Sequence, residues 1–266
     1  HQDWHRDKNE YYLAKANIFK YQSIQDLAVY KADDQNSTSL ATVSLAQKRG
    51  YGPLGSGSMI EYDKLGIYFD SKLEITRSIV ALPGLHNLEN IAAAISATWD
   101  IIEDRSIYLE IVSSFRGLEH HIEFVAKVGG ISYYDDSFAT NPSSTIAAIN
   151  ALTENGDKIV VMIGGMDKGL DYLPLANYLS DLGQIKVLLY GQASEMIIQT
   201  FRSVGFEGYQ VNEGQDFVQI VDQAKQLANA EGLQIVLLSP ATSSKDMFDD
   251  YKQRGRIFSE IVKKIS

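Results

Sequence analysis

Ile131-Ser132-Tyr133-Tyr134-Asp135-Asp136-Ser137-Phe138-Ala139-Thr140-Asn141-Pro142 is the stretch on which the fold turns. Ile131 to Tyr134 is rich in β-formers and predicts a strand. Two carboxylates stand at its C-terminal end. A short polar loop follows, and then a marked helix start. Asn141 suits the N-cap, and Pro142 suits the first helical position, where no N–H is needed. Ile146, Ile149 and Leu152 recur behind it at helical spacing. Strand, acids, loop and helix N-terminus, in that order, mark the place where open α/β sheets hold ligands. The same order also describes an ordinary strand-to-helix connection with solvated acids, and this stretch alone does not separate the two.

Downstream, strands and helices alternate. Strands are predicted at 131–135, 158–163, 185–190 and 234–238, with helices near 143–153, 172–181, 192–204 and 215–230 between or beside them. A last helix is expected over 245–264, with Phe248, Tyr251, Phe258, Ile261 and Ile265 facing inward. Ser243-Ser244-Lys245-Asp246 before it matches a capping box, with Asp in place of Glu. Alternation of this kind implies a Rossmann-like, doubly wound parallel sheet. Its start is placed near residue 115.

Upstream the rhythm differs. Residues 8–20 predict a helix with Tyr12, Ala16 and Phe19 on one face and Lys15 beside them. Leu27 to Tyr30 predicts a short strand, Asp33 to Ser39 a polar loop, and residues 52–58 a flexible turn. Met59 to Tyr62, Gly66 to Phe69 and Leu73 to Thr76 predict meandering strands. Asn87 to Ile102 predicts a helix carrying Ile91, Ile95, Trp99 and Ile102. These are too few strands for a complete domain, so the first part is expected to be an incomplete mixed α/β domain.

The 266 residues suit two modest domains, and the 45% hydrophobic fraction supplies a core. A net charge of -10 argues against a general nucleic-acid binder. The chain has no cysteine, which excludes disulfides and thiolate metal sites and fits a reducing cytoplasm. No apolar run is long enough to span a bilayer. The chain opens His1-Gln2-Asp3 without a Met, and the expectation is that something precedes it in the intact protein.

Two nucleotide-binding fingerprints fail. The strand ending at Asp135 leads into Asp-Ser-Phe-Ala-Thr-Asn-Pro, with no glycines to let a dinucleotide pyrophosphate approach. Residues 52–58 have the Walker A glycine spacing, but Ser58 stands where the lysine is needed. Two further loops repeat the strand-then-loop pattern. Ile159 to Ile163 is a continuous apolar run of the buried parallel type, followed by Gly164-Gly165-Met166-Asp167-Lys168-Gly169. Lys168 there suits a carboxylate, or is a solvated surface lysine. Leu237-Leu238 is followed by Ser239-Pro240-Ala241-Thr242-Ser243-Ser244, whose hydroxyls suit an oxyanion or plain N-capping. Three such loops at strand C-termini in one sheet would converge on one crevice. His1 and His5 have i, i+4 spacing. Lys15, among Ala14, Ala16 and the tyrosines 11 and 12, is either desolvated and reactive or a lysine snorkelling to water.

Gly84-Leu85-His86-Asn87-Leu88-Glu89-Asn90 with Ala92-Ala93-Ala94 resembles the G-x-H-N-x-x-N-x-x-A-A signature of the Mur ligases. Phe115-Arg116-Gly117-Leu118-Glu119-His120-His121-Ile122-Glu123 resembles the opening of their C-terminal domain. Residues 136–142, 164–169 and 239–244, then Asp246-Met247-Phe248 and Arg254-Gly255-Arg256, continue the match in order. The resemblance implies that 1–114 is the C-terminal portion of a central ATPase domain and 115–266 the amino-acid-binding domain. The phosphate loop would lie before residue 1, so this chain would be inactive alone.

It further implies a cytoplasmic, monomeric, ATP- and magnesium-dependent amide ligase of peptidoglycan biosynthesis. Its closest branch adds D-glutamate to UDP-N-acetylmuramoyl-L-alanine through an acyl phosphate. By the resemblance, His1 is a magnesium ligand and Lys15, carbamylated, holds a second magnesium. Asn87 and Asn90 face adenine, Asp136 the ribose, and position 121 the ATP phosphates. Thr140, Lys168 and Ser244 grip D-glutamate, with Tyr251 packing nearby. Three departures stand out. His121 replaces an arginine, Phe138 a lysine and Thr242 a cysteine, and the first two weaken the expected hold on ATP. The rival readings are a family relative with another amino-acid substrate and a non-catalytic module that binds an acidic ligand.

Overall fold

The computed structural model describes residues 6–154, 156, 158–182 and 185–265. The chain forms two compact units, His1–Phe115 and Arg116–Ser266.

In the first unit the elements run α1 (Lys8–Lys20), β1 (Leu27–Lys31), α2 (Gln35–Ala41), β2 (Gln47–Pro53), β3 (Ile60–Asp63), β4 (Gly66–Phe69), β5 (Lys72–Thr76), α3 (Leu85–Thr98) and α4 (Ser106–Ser114). The strands pair in sequence order in one five-stranded sheet. β1, β2 and β3 are parallel, and β3, β4 and β5 form an antiparallel meander. Ile60, Tyr62, Ile67 and Ile75 pack against Leu88, Ala92 and Ile95 of α3 and Tyr108 and Val112 of α4. The unit therefore has its own sheet and core, with β2 added to the four strands that the sequence suggested.

Two corrections account for the difference. Residues 35–41 are helical rather than loop, because Asp34 caps them by accepting from the N–H groups of Asn36 and Ser37. β2 was hidden because Gly50, Gly52 and Pro53 look like turn residues. The turn that follows it is closed from inside: buried Glu61 accepts from the N–H groups of Gly55 (3.2 Å) and Gly57 (2.8 Å). The phosphate-loop look-alike thus spends those amides on a carboxylate of its own chain.

In the second unit the order is β6 (Glu123–Val128), β7 (Ile131–Asp135), α5 (Pro142–Thr153), β8 (Ile159–Gly164), α6 (Leu173–Leu182), β9 (Ile185–Tyr190), α7 (Ser194–Ser203), β10 (Tyr209–Asn212), α8 (Phe217–Glu231), β11 (Ile235–Leu238) and α9 (Tyr251–Lys264). The sheet order is β10-β9-β8-β11-β7-β6, parallel except for the edge strand β6. β8 shows why its sequence is apolar throughout. Ile159, Val161 and Ile163 enter the core under α5, α6 and α7, while Val160 and Met162 enter the core under α8 and α9. The doubly wound reading is correct.

The strands β6 and β10 are additions to it. The last helix begins later than the spacing suggests: its N-cap is Asp250, which accepts from Gln253 N–H (2.7 Å). Ser243 to Asp246 is not a capping box, and Phe248 packs on the core from the loop instead. After β10 the chain returns through α8 and inserts β11 between β8 and β7. The order reverses there, at the C-terminal ends of β7, β11 and β8, the place where open α/β sheets hold ligands.

Candidate active site

The loops after β7, β8 and β11 are bound to one another. Ala241 N–H donates to Ala139 O (2.9 Å), Gly164 N–H to Pro240 O (3.0 Å), and Met166 N–H to Ser243 O (2.8 Å). Arg254, on α9, is fully buried and crosses all three. Its Nε donates to Ser137 Oγ (2.9 Å), its Nη2 to Ser137 O (3.0 Å) and Thr242 O (3.3 Å), and its Nη1 to Gly164 O (3.4 Å). Among the described residues it has no carboxylate within ion-pair distance, so the guanidinium serves backbone and hydroxyl acceptors. Its five donors in a fixed fork suit that task. Gly165 fits beneath, since a Cβ there would lie 2.1 Å from Ser243 O.

The two carboxylates that end β7 differ in environment. Asp135 is fully buried; its Oδ2 accepts from His120 Nδ1 (2.7 Å) and its Oδ1 from Ser137 N–H (2.9 Å). The bond to Asp135 raises the His120 pKa above its usual 6.5 against the opposing effect of burial. Asp136 accepts from Ser239 Oγ (2.8 Å) and Ile122 N–H (3.2 Å). Burial nevertheless pushes its pKa up to about 7, and the hydrogen bonds only oppose the shift. A buried carboxyl raised this far at the C-terminal end of a strand is the kind of group that functional sites hold.

On the rim the His121 and Phe138 rings stack, with centroids 4.0 Å apart, and the Tyr251 ring meets Phe138 edge-on at 5.1 Å. The expected groups Asp136, His121 and Tyr251 therefore gather at the β7 end. Thr140 stands just before the Asn141 cap, whose side chain accepts from Ser144 N–H. Ser244 is buried on the loop after β11. Lys168 is exposed on the loop after β8 and makes no hydrogen bond or ion pair among the described residues.

In the first unit Asn87 and Asn90 lie one turn apart at the start of α3, and Asn87 Nδ2 donates to Pro83 O (2.7 Å). Lys15 is exposed on α1 with its ammonium 5.5 Å from the Tyr11 ring centroid, so the desolvated-lysine alternative does not hold. His1 and His5 lie outside the described residues. The sequence reading gave His120, Asp135, Ser239 and Arg254 no individual role. A glycine inside α9 was the available signal: a Cβ on Gly255 would lie 2.2 Å from His120 Nδ1 and 2.5 Å from Asp135 Oδ2.

Comparison with known proteins extends this. Residues 1–98 match the family model of the Mur ligase middle domain, and residues 121–242 that of the Mur ligase glutamate ligase domain. The UDP-N-acetylmuramoylalanine–D-glutamate ligase of Natranaerobius thermophilus is 35% identical over 268 residues, which are 98% of this chain and 56% of that protein. The chain thus spans a little over half the length of the curated relatives it matches. Among solved structures, MurF from Acinetobacter baumannii aligns with a TM-score of 0.67 at 14% identity, covering 96% of this chain and 56% of that one. The MurF ligase of Thermotoga maritima, solved in complex with ADP, aligns with a TM-score of 0.64 at 17% identity, covering 98% and 59%. At these identities the structures share the fold.

Proposed function

The chain belongs to the Mur ligase family, and from that premise we propose that it is the acceptor-binding part of an ATP-dependent ligase that joins D-glutamate to UDP-N-acetylmuramoyl-L-alanine. Residues 1–114 belong to the central ATPase domain and 115–266 to the amino-acid-binding domain. The observation that carries the reading is that Arg254 ties the loops after β7, β11 and β8 together at the strand ends. On those loops stand Thr140, Ser244 and Lys168, the groups that this reading assigns to D-glutamate. One cation and two hydroxyls suit a dicarboxylate, while the attacking amine must stay neutral and away from them.

The chemistry is carboxylate activation. An oxygen of the acceptor carboxylate attacks the γ-phosphorus of ATP and ADP leaves. The amine of D-glutamate then attacks the acyl carbon. The C–O bond breaks, phosphate departs with the former carboxylate oxygen, and the amine loses a proton. Most of this is positioning and charge neutralisation. Asn87 and Asn90 face the adenine side. Asp136 has both oxygens engaged by protein donors, yet a carboxylate has about four acceptor sites, which leaves capacity for a ribose hydroxyl. Lys15 is exposed with its ammonium beside the Tyr11 ring, so a carbamate on it would have to be held by the metal that it binds. Magnesium held on that carbamate and on His1 would neutralise the phosphoryl oxygens. The test is phosphate release by the full-length protein with the acceptor and a panel of amino acids. Release that depends on D-glutamate supports the reading; release with a different amino acid alone assigns another substrate, and none at all leaves a binding module.

A further inference from the structure

Among the described residues, non-glycine residues with positive φ fall in two places. Asp70 and Ser71 make the turn between β4 and β5. The others, His120 (φ 65), Ile122 (φ 49) and Ala241 (φ 59), belong to the second unit at the β7 and β11 ends. Left-handed backbone is unfavourable for any residue with a Cβ and most of all for a β-branched one such as Ile122. Such conformations persist where the surroundings over-determine them.

Here the surroundings can be named. His120 gives its Nδ1–H to Asp135, its N–H to Glu123 Oε2 (2.9 Å), and accepts Phe138 N–H at its carbonyl (3.1 Å). Ile122 gives its N–H to Asp136. His121 therefore sits between two strained residues, each bonded to one of two successive carboxylates. Its own Nδ1–H donates to Glu119 O (3.0 Å), and its ring lies on Phe138. Space for the His120–Asp135 pair is kept by Gly255, a glycine in the interior of α9 where the helix would otherwise favour another residue. A strained backbone and an unfavourable helical residue converge on one buried pair. Generic packing of a linker requires neither.

We propose that Asp135, acting through His120, is a positioning residue that holds residues 120–122 in their strained form and thereby fixes the His121–Phe138 stack on the rim of the strand ends. In so far as that rim meets the nucleotide, the idea rests on the function proposed above, and the test separates the two.

The variants are His120→Gly and His120→Asn. Glycine relaxes the backbone at φ 65 and removes the bond to Asp135. Asparagine tolerates the left-handed region and carries an N–H donor near the place of Nδ1. The first readout is the ring-proton shift of His121 in histidine-labelled 266-residue chain, with Phe138→Leu identifying the resonance by loss of the ring current. The wild type and His120→Asn keep the displaced resonance, and His120→Gly loses it. A displaced resonance in His120→Gly, or its loss in His120→Asn, would overturn the proposal. Should the glycine variant not fold, Asp135→Asn, which weakens the acceptor at constant shape, shows a reduced displacement; an unchanged one overturns the proposal.

The second readout is steady-state kinetics of the full-length protein. Loss of a stacked ring contact corresponds to roughly a three- to tenfold higher KM for ATP, with the KM for D-glutamate unchanged, in His120→Gly and not in His120→Asn. Ring shifts as predicted with no change in the KM for ATP would uphold the positioning role and remove the nucleotide from this rim.

Discussion

Replacing Asp136 by asparagine makes the second unit more stable, and only above acid pH. The buried carboxyl has a folded pKa of about 7 against 3.8 in a model compound. Between those values the native state keeps a proton that the unfolded chain has released, so stability falls as pH rises through this window. About three pH units at 1.36 kcal/mol each give about 4 kcal/mol as the upper size of the effect. Asparagine carries no such cost, and its hydrogen bonds can be met. Its oxygen accepts from Ile122 N–H and its amide donates to Ser239 Oγ, whose own hydrogen then turns to Thr145 Oγ1 at 3.0 Å. The expected difference between Asp136→Asn and wild type is near zero at pH 4, grows by about 1.4 kcal/mol per unit, and levels off above pH 7. Urea denaturation across pH 4 to 8.5, followed by a probe in the second unit, measures it at unchanged m value. Parallel stability curves for the two proteins would refute the reasoning, because every other carboxyl is common to both. The variant should also lose affinity for ATP if the Asp136 carboxylate accepts from the ribose.

Three further outcomes are expected. Arg254→Met removes two hydrogen bonds of 3.0 Å or less to Ser137 and should destabilise the second unit by about 3 kcal/mol or more, read from the urea midpoint; a change below about 1 kcal/mol would mean that the three loops hold together without it. Gly255→Ala should lower stability by about 1–3 kcal/mol although alanine favours helices, because its Cβ displaces His120. Adding His120→Ala should recover part of that loss in a double-mutant cycle, the remainder coming from Asp135 Oδ2 at 2.5 Å. Lys168→Ala in the full-length protein should raise the KM for D-glutamate about ten- to a hundredfold and leave that for ATP nearly unchanged; an equal loss for both would place this loop on another ligand.

What could be seen in the sequence was whatever local chemistry decides. β7, its two acids and the Asn141–Pro142 helix start were visible because β-propensity and capping act over a few residues. β8 declared its burial by an unbroken apolar run. The start of α9 was misplaced because Ser243 to Asp246 satisfies a capping pattern locally, while the Met166–Ser243 bridge and the grip of Arg254 hold that segment in a loop. β2 and α2 were hidden by turn-like glycines and by a short polar helix whose cap is its main signal. The site divides in the same way. Lys168, Thr140 and Ser244 stand in loops whose composition fits a ligand or plain turns and caps equally, and only the family resemblance singled them out. His120, Asp135 and Arg254 act through contacts 15 to 117 residues apart in sequence, which no local pattern encodes.

The central claim is that this chain serves an acyl-phosphate ligation with D-glutamate. The most direct measurement supplies the full-length protein with ATP, D-glutamate and UDP-N-acetylmuramoyl-L-alanine carrying oxygen-18 in its terminal carboxylate. One labelled oxygen should appear in the released phosphate for each D-glutamyl amide formed, because the carboxylate oxygen that takes the phosphoryl group leaves with it. Amide formed with unlabelled phosphate, or labelled phosphate that forms only with an amino acid other than D-glutamate, would contradict the account.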